Sequence, residues 1–291
     1  MKVGIFGGGA IAIHLEKFLK EKTGYDIVVY PRNKIDVTNS KSVDNIIRDE
    51  SFDWLFSLAA LSNINDSFNN PKEYYKTNSD STLNILNAVR LYSPQTKTIF
   101  AGSVHELINL SPYGGSKICS SNIVENFRNS YNLFAAQPKL SNVLVGRPND
   151  NQFVVPKIVN YFKNGQFSKP LELGNVFSTK KWIDIFDVCS ALWATATQET
   201  PFDGIISGEK EYSIKNLVEI AAPAVGIYGS WEILSDNHVY MDKTKVYVIN
   251  NPLAARSNDP VIEYDIEETK KVLGWEPKIS VDDSIRKLIL E

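Results

Sequence analysis

The turn that follows the first predicted strand constrains the fold more than any other feature of the chain. The sequence reads Gly-Gly-Gly-Ala-Ile-Ala over residues 7–12, after an apolar strand predicted at Val3–Phe6 and before an amphipathic helix predicted at Ile11–Lys20. The spacing G-x-G-x-x-(G/A) is supplied by Gly7, Gly9 and Ala12. Small residues at this spacing let the backbone turn tightly and approach a pyrophosphate, whose charge the N–H groups of the following helix attract. We therefore interpret residues 7–12 as a dinucleotide-binding turn; a purely structural turn is the alternative.

Strands and helices are predicted to alternate along the rest of the first half. In chain order they are a strand at Tyr25–Tyr30, a helix at Val43–Arg48, a strand at Trp54–Ala59, a helix at Ser79–Tyr92, a strand at Thr98–Ala101, a helix at Ser116–Tyr131 and a strand at Phe134–Leu140. Asn39 or Ser40 is the candidate N-cap of the second helix. Such alternation predicts parallel βαβ units and therefore an α/β fold, a Rossmann doubly wound parallel sheet.

The alternation becomes irregular beyond residue 140, where Pro, Gly and Asn are frequent. We therefore expect a second, smaller C-terminal domain that binds the substrate. The expected boundaries place residues 1–140 and 176–204 in the dinucleotide-binding domain. Residues 141–175 and 205–291 then form the second domain.

Composition excludes several classes of partner. The net charge of −3 over 291 residues provides no basic field, so nucleic acid is not an expected partner. No apolar run approaches the roughly 18 residues of a membrane span, and Met1 leads into a strand instead of a secretion signal. The few cysteines and histidines are scattered and predict no metal site; they are Cys119, Cys189, His14, His105 and His238. A reducing, cytoplasmic location is expected.

The residues after the second strand bear on the choice of dinucleotide. An acidic residue usually ends that strand in sites that select NAD, where it binds the ribose diol. This chain instead has Tyr30 followed by Pro31-Arg32-Asn33. Arg32 could pair with a 2′-phosphate, which favours NADP, although NAD stays possible and Arg32 could equally be a solvated loop residue.

A tyrosine and a lysine four residues apart are the candidate proton-transfer pair. The segment Tyr113-Gly114-Gly115-Ser116-Lys117 begins a predicted helix, on which residues at this spacing share a face. A nearby ammonium group favours the phenolate and would lower the pKa of Tyr113, which could then exchange a proton with a hydroxyl group. Ser103, at the end of the preceding strand, could hydrogen-bond the same oxygen. An ordinary exposed helix pair is the alternative.

Together with the glycine turn, this pair resembles the extended short-chain dehydrogenases, also called the NAD-dependent epimerase/dehydratase family. Within them the sequence is most similar to the GDP-mannose 4,6-dehydratase group, nearly from end to end. The segments that carry the resemblance further are Asn78–Leu83, Phe127–Ala135, Leu173–Asn175, Lys180–Trp182, Asp187-Val188, Gly208-Glu209 and Leu273–Pro277.

The resemblance implies a nucleotide-sugar substrate, GDP-linked, bound by the second domain. It implies that Asp36, in Asp36-Val37-Thr38, holds the adenine amine, although a helix-capping turn is the alternative. Further cofactor contacts are implied for Leu58, Ala59, Ala60 and Lys117. Contacts with the substrate diphosphate are implied for Asn142, Lys180 and Arg256.

The chain departs from the family between the catalytic Ser/Thr and the tyrosine. Members of the family place about two dozen residues there, whereas Ser103 and Tyr113 are ten apart, so a loop that borders the sugar is missing. Dehydratases also carry an acid two residues after the Ser/Thr, which removes the proton at sugar C5. His105 occupies that position and Glu106 follows it. Either residue could be the base, or neither acts and only hydride chemistry occurs.

Three functions are consistent with these residues. The first is a GDP-sugar 4,6-dehydratase, and the second is a nucleotide-sugar 4-ketoreductase, 4-dehydrogenase or epimerase that needs no base beyond Tyr113. The third is a cofactor-binding regulatory protein without catalysis, which the intact Tyr113/Lys117 pair argues against. A homodimer is expected because helices Ser79–Tyr92 and Ser116–Tyr131 carry surplus apolar residues, and the equivalent pair forms a four-helix bundle between subunits in the family.

Overall fold

The computed structural model describes residues 1–147, 152–165, 167–235, 237–243, 245–251, 253 and 261–291, which form two compact units. Unit 1 comprises Met1–Ser141, Ile185–Ser207 and Tyr264–Glu276. Unit 2 comprises Asn142–Asp184, Gly208–Glu263 and Pro277–Glu291.

Unit 1 begins with most of the helices and strands of the chain. Its first segment contains β1 (Lys2–Phe6), α1 (Ala10–Lys22), β2 (Asp26–Tyr30), α2 (Ser40–Glu50), β3 (Trp54–Ser57), α3 (Ile64–Asn69), α4 (Pro71–Tyr75), a π-helical turn (Lys76–Asp80), α5 (Ser81–Tyr92), β4 (Lys97–Phe100), β5 (Gly102–Ser103), a 3-10 turn (Val104–Leu107), α6 (Pro112–Tyr131), β6 (Ala135–Ala136) and β7 (Lys139–Leu140).

The chain then passes between the two units. Unit 2 receives β8 (Asn142–Leu144), α7 (Val154–Asn164), β9 (Leu171–Leu173) and β10 (Thr179–Asp184). Unit 1 receives α8 (Ile185–Thr197) and β11 (Ile205–Ile206). Unit 2 receives β12 (Glu211–Ser213), α9 (Ile214–Ala224), β13 (Ser230–Leu234), β14 (Asn237–Asp242) and β15 (Lys245–Asn250). The last helices are α10 (Glu267–Leu273) in unit 1 and α11 (Val281–Leu290) in unit 2.

The main sheet of unit 1 is parallel throughout, in the order β2-β1-β3-β4-β6. Helix α1 packs against α8, whereas α2 packs against α5 and α5 against α6, so helices form two separate groups around the sheet. The apolar residues of β1 are buried, as expected of a strand covered on both faces. The predicted Rossmann doubly wound sheet is confirmed.

The predicted elements of the first half are present, with shifted ends. Helix α2 begins after Asn39, whose side chain accepts a hydrogen bond from the backbone N–H of Ser42, so Asn39 is the N-cap. Helix α6 begins earlier than predicted, because the Ser111 hydroxyl caps it and Pro112 occupies its first turn.

The strand predicted at Phe134–Leu140 is instead two short strands in two sheets. Strand β6 pairs with β4 in the main sheet, and β7 pairs with β5 and β11 in a smaller parallel sheet. The break falls at Gln137-Pro138, where proline has no N–H to donate to a ladder. The Pro138 carbonyl accepts a hydrogen bond from Gly102 N at 2.9 Å, which directs the chain toward β5.

The segment between β3 and α5 is helical, which the sequence did not predict. Helix α3 is capped by Asn63 and α4 begins at Pro71, and the π-helical turn then replaces the predicted start of the next helix. These helices are shorter than two turns, too short for apolar periodicity to reveal them. A π-helical turn holds one residue more than an α-helical turn and is often found at a functional site.

Unit 2 contains two further sheets, β12-β10-β8 and β13-β14-β15-β9. The apolar faces of α7, α9 and α11 pack together over them. Residues 176–184, which the sequence assigned to the first domain, lie in unit 2 because β10 pairs with β8 and β12. Residues 264–276 lie in unit 1, where Thr269 Oγ1 donates to the Ile205 carbonyl.

Among the described residues, no helix combines the length and the apolar character that a membrane span requires.

Candidate active site

The candidate site of unit 1 lies at the carboxyl ends of the parallel strands. Strands β1, β2, β3 and β4 run in one direction, so the segments that follow them meet at one edge of the sheet. In open α/β sheets this edge is where ligands bind. The segments concerned start at Gly7, Pro31, Leu58 and Ala101.

The glycine turn forms an open cradle at the start of α1. Gly7 has φ +125°, and a Cβ there would lie 2.9 Å from the backbone nitrogen of Ala59, so no larger residue fits. Gly9, the N-cap of α1, is exposed and provides no side-chain cap. A Cβ atom at this position would have no neighbour within 4 Å, so the space beside Gly9 is open. Ala12 is buried, which lets the helix pack closely. The free N–H groups and open space fit a pyrophosphate.

The segment after β2 presents polar residues to solvent. Arg32 is exposed. Asp36 Oδ1 accepts hydrogen bonds from Thr38 N at 3.0 Å and from Thr38 Oγ1 at 2.8 Å. The Thr38 hydroxyl holds the pKa of the Asp36 carboxyl below its usual value. Asp36 thus forms a turn that leads to the Asn39 cap, with its carboxylate ionised and exposed.

The segment after β3 lies against the glycine turn and is held by Asn78. The backbone of Leu58 and Ala59 is the nearest neighbour of Gly7, whereas Ala60 is exposed. Asn78 Oδ1 accepts from Leu61 N at 2.9 Å, and its Nδ2 donates to Leu61 O at 3.0 Å. The same Nδ2 donates to Ser116 Oγ on α6 at 2.9 Å. The π-helical turn that carries Asn78 therefore joins this segment to α6.

Tyr113 and Lys117 are both buried, one turn apart on α6. Lys117 Nζ donates to the Ala101 carbonyl at 2.7 Å, which brings the ammonium group to the end of β4. Ser103 follows at the end of β5, close enough to the Tyr113 side chain to lower its pKa. The structure therefore brings together the three side chains that the sequence nominated for proton transfer.

The expected lowering of the Tyr113 pKa is not found. Burial raises the pKa of Tyr113 to about 12, and the hydrogen bond with Ser103 only partly opposes this effect. Burial also lowers the pKa of Lys117 to about 8. The prediction rested on the charge of Lys117, whereas desolvation of the phenolate is the largest influence on Tyr113 in this structure.

Glu106 points back into unit 1 instead of into solvent. Its Oε1 accepts from Ser103 N at 2.7 Å and from Gln137 Nε2 at 3.2 Å, and Ser103 and Glu106 together form a capping box around the 3-10 turn. Burial raises the pKa of Glu106, and the bond from Ser103 N opposes the rise. The side chain lies close enough to Tyr113 and Lys117 to influence the pKa of both.

His105 lies on the other side of the 3-10 turn and is half-buried. Its ring packs edge-to-face on Tyr113, with ring centroids 5.9 Å apart. Its backbone carbonyl faces α6: a Cβ at Gly114 would lie 2.8 Å from that oxygen. The short connection between Ser103 and Tyr113 therefore folds directly onto the first turn of α6, and glycine at 114 makes the close approach possible.

Lys117→Met should stabilise the protein, and the gain should depend on pH. A folded-state pKa near 8 against 10.4 in the unfolded chain corresponds to about 3 kcal/mol of charge-burial cost. Below pH 8 both states bind the proton and the full cost is present. Between about pH 8 and 10.5 the unfolded state binds more protons, so stability of the native protein rises and the advantage of Lys117→Met shrinks.

Urea unfolding at pH 7, 8, 9 and 10 measures this difference. Lys20→Met, on the exposed face of α1, is the matched control and should leave the pH dependence as in the native protein. A Lys117→Met effect that stays constant from pH 7 to 10 would contradict the lowered pKa.

Two of the residues nominated for the substrate diphosphate, Asn142 and Lys180, belong to unit 2. Asn142 opens β8, and its Nδ2 donates to the Lys181 carbonyl at 3.3 Å. Lys180 lies on β10, opposite Tyr212 in the pairing with β12, and is partly exposed. Arg256 lies outside the described residues. Asn142 and Lys180 are thus carried on neighbouring strands of one sheet.

Two buried amides at the site were not identified from sequence. In the sequence Asn78 only precedes a predicted helix, and Gln137 lies within a predicted strand. In the structure both are almost inaccessible; Asn78 donates to Ser116 Oγ and Gln137 to the Lys117 carbonyl. An amide without a motif around it gives no sequence signal. The buried setting of Gln137 is visible only once β6 and β7 are seen to separate.

Comparison with known proteins agrees with this arrangement. The chain matches the family described as GDP-mannose 4,6 dehydratase over residues 15–288. The human GDP-mannose 4,6 dehydratase is 27% identical over 277 residues, which cover 87% of this chain and 74% of the human protein. The Vibrio cholerae GDP-mannose 4,6-dehydratase is 25% identical over 287 residues, covering 88% of this chain and 77% of that protein.

Solved structures share the fold at lower sequence identity. A UDP-glucose 4-epimerase from Thermotoga maritima, solved with UDP-glucose, has a TM-score of 0.81 and 21% identity, covering 100% of this chain and 98% of its own. RMD from Pseudomonas aeruginosa, solved with NADPH, has a TM-score of 0.81, 17% identity and coverage of 100% and 98%. A dTDP-glucose 4,6-dehydratase from Bacillus anthracis, solved with NAD, has a TM-score of 0.80 and 18% identity, covering 100% of this chain and 96% of its own.

The family match over nearly the whole chain confirms the resemblance seen in the sequence: the protein belongs to the GDP-mannose 4,6-dehydratase family.

Proposed function

We propose that the protein acts as a 4,6-dehydratase on a GDP-linked sugar: it oxidises C4, removes water across C5 and C6, and then adds the hydride at C6 and a proton at C5. One observation carries this proposal. Ser103, Tyr113, Lys117 and Glu106 converge at the edge of the sheet where the parallel strands end, and the open glycine turn lies at the same edge. The relatives named GDP-mannose 4,6-dehydratase support the substrate class.

The phenolic oxygen of Tyr113 is the proposed proton carrier at the sugar 4-hydroxyl. It accepts the hydroxyl proton while C4 is oxidised. Ser103 orients the phenol. Lys117, one helical turn away and anchored on the Ala101 carbonyl, is proposed to favour the phenolate by its charge.

A nicotinamide dinucleotide, when bound, would supply the hydride acceptor and donor. The proposed contacts are Gly7, Gly9 and Ala12 at the pyrophosphate, Asp36 at the adenine, Leu58, Ala59 and Ala60 along the molecule, and Lys117 at the nicotinamide ribose. RMD was solved with NADPH and the Bacillus anthracis dehydratase with NAD, so related folds use both dinucleotides. We propose NADP for this chain, because Arg32 is an exposed cation where an NAD-selective acid would stand.

Glu106 is the proposed base for the proton at sugar C5. Oε1 accepts both of its hydrogen bonds, so the carboxylate is held in place while Oε2 takes no bond from any described residue. His105 stays the alternative, since its ring packs on Tyr113. The residues Asn142, Lys180 and Arg256 of unit 2 are proposed to bind the substrate diphosphate, because cations and N–H donors suit phosphate oxygens.

One observation favours a second candidate, a nucleotide-sugar 4-ketoreductase. Burial raises the pKa of Tyr113 and so stabilises its protonated form, which is the form that donates a proton to a keto oxygen. The use of Glu106 in a capping box also suits an enzyme that needs no base at C5.

Incubation of the protein with GDP-mannose and NADP, followed by mass spectrometry of the sugar nucleotide, separates these candidates. Loss of water supports the dehydratase. Loss or gain of two hydrogens, with 4-keto substrates included and NADPH supplied, supports the second candidate. No change with GDP-, UDP- or dTDP-sugars under either condition would overturn both.

We also propose a homodimer formed through α5 and α6. Large apolar side chains remain exposed on both helices: Leu83, Leu91, Tyr92 and Tyr131. Light scattering at micromolar concentration should give twice the 32.7 kDa chain mass, and Leu91→Glu should shift the mass toward the monomer because it introduces a charge into an apolar interface. A native protein of single-chain mass contradicts the proposal.

A further inference from the structure

Gln137 is a completely buried amide placed between α6 and the 3-10 turn that carries Glu106. Its Nε2 donates to Glu106 Oε1 at 3.2 Å and to the Lys117 carbonyl at 3.1 Å. Its Oε1 accepts from Ser120 Oγ at 2.6 Å. The amide therefore uses both donors and its acceptor on three groups, two of which belong to the proposed catalytic residues Glu106 and Lys117.

The hydroxyl of Ser120 fixes the orientation of this amide. Ser120 is buried on α6, and its hydroxyl also contacts Thr82 Oγ1 on α5 at 2.8 Å. A flipped amide would direct its oxygen at the Glu106 carboxylate and at the Lys117 carbonyl, which are both acceptors. Only the observed orientation satisfies all the partners.

The backbone at Gln137 is anchored as well. Its N–H donates to Asp203 Oδ1 at 2.6 Å, and Asp203 forms an ion pair with Arg128 at 2.5 Å. Arg128 also donates to the Ala135 carbonyl at 3.0 Å. Gln137 is therefore fixed at both its main chain and its side chain, although no step of the proposed reaction involves it.

We propose that Gln137 is a positioning residue, which holds Glu106 by Oε1 and leaves Oε2 turned to the C5 proton of the substrate. This inference rests on the proposed function, since it deepens the role given to Glu106. A buried amide is suited to the task because it donates to the carboxylate without adding a charge that would compete with Lys117.

The charged groups around Glu106 define how the amide acts. Lys117 on α6 and Lys139 on β7 lower the pKa of Glu106, whereas burial raises it; Tyr113 faces the carboxylate from α6, and His105 precedes it on the 3-10 turn. The hydrogen bond from Gln137 favours the ionised form. Loss of that donor should therefore raise the pKa of Glu106 and delay its ionisation to higher pH.

Gln137→Met tests the proposal because methionine fills a similar volume without a donor. We expect the acid limb of the pH profile of kcat for water loss to move up by about one pH unit, with KM for the sugar nucleotide unchanged. The carbon NMR signal of the Glu106 carboxyl, assigned from Glu106→Gln, should titrate about one pH unit higher in Gln137→Met without any substrate.

Two comparisons complete the design. Thr82→Val removes a hydroxyl that contacts Ser120 but not Gln137, and it should leave both titrations unmoved. Ser120→Ala removes the hydroxyl that orients the amide and should move both in the same direction by a smaller amount; it replaces Gln137→Met as the test if that variant does not fold.

The outcomes separate this proposal from the proposed function. A shifted NMR titration in a protein that transforms no sugar nucleotide keeps the position of Gln137 and overturns the function. An active enzyme in which neither the acid limb nor the NMR titration moves overturns the role of Gln137. A general loss of kcat at all pH values, with the titration unmoved, assigns Gln137 to structure alone and also overturns it.

Discussion

Tyr113→Phe is expected to lower turnover by about 100- to 10,000-fold while dinucleotide binding survives, because one hydroxyl group is removed from the proposed proton path. The phenylalanine ring keeps the edge-to-face contacts of Tyr113 with Tyr74 and His105, whose centroids lie 6.3 and 5.9 Å away. The first turn of α6 should therefore retain its structure. Steady-state kinetics with the sugar nucleotide, and fluorescence titration with NADP, measure the two effects separately.

A second tyrosine provides the control for Tyr113→Phe. Tyr131, at the exposed end of α6, can be changed to phenylalanine without touching the site, and that variant should keep native turnover. Native turnover in Tyr113→Phe itself would remove the central residue of the proposed mechanism, whatever the state of the cofactor site.

Glu106→Gln should stop water loss while C4 oxidation continues, so that reduced cofactor accumulates and the product keeps its oxygen at C6. A glutamine oxygen still accepts from Ser103 N, so the capping box is preserved and only the basic carboxylate is lost. We expect a fall of about 100-fold or more in the rate of water loss. Absorbance of the reduced nicotinamide and mass spectrometry of the sugar follow the two steps.

His105→Asn is the paired variant, because His105 is the other candidate base. If Glu106 is the base, His105→Asn should reduce water loss only a few-fold through the lost packing on Tyr113. If His105→Asn stops water loss and Glu106→Gln does not, the two roles are exchanged. If both variants stay near the native rate, neither side chain takes the C5 proton and the 4-ketoreductase becomes the better description.

Sequence reasoning identified the parts of the site that depend on local spacing. The glycine turn follows from small residues between a strand and a helix, and the Tyr113/Lys117 pair follows from the helical repeat; both lie where expected. Contacts between distant residues were out of reach. Gln137 is hydrogen-bonded to Glu106, 31 positions away in the sequence, and Asn78 to Leu61, 17 positions away. No sequence pattern in either segment predicts these partners.

The same limit explains two of the differences between prediction and structure. The apolar run at Phe134–Leu140 fitted one strand, and only the tertiary structure shows that the chain leaves one sheet and joins another at Pro138. The Tyr113 pKa was argued from one neighbouring charge, whereas its value in the fold depends on how much water reaches the ring. Burial at a helix start depends on several segments and cannot be derived from the spacing of two residues.

The close approach of the His105 carbonyl to Gly114 makes the residue at position 114 depend on the length of the connection between Ser103 and Tyr113. A chain with a ten-residue interval before the tyrosine cannot accept a side chain at position 114 without displacing that carbonyl. Lengthening the interval to the two dozen residues typical of the family would relieve the restriction. Gly114→Ala should therefore lower the melting temperature of this protein, and it should become tolerated once a longer loop is grafted between Ser103 and Tyr113.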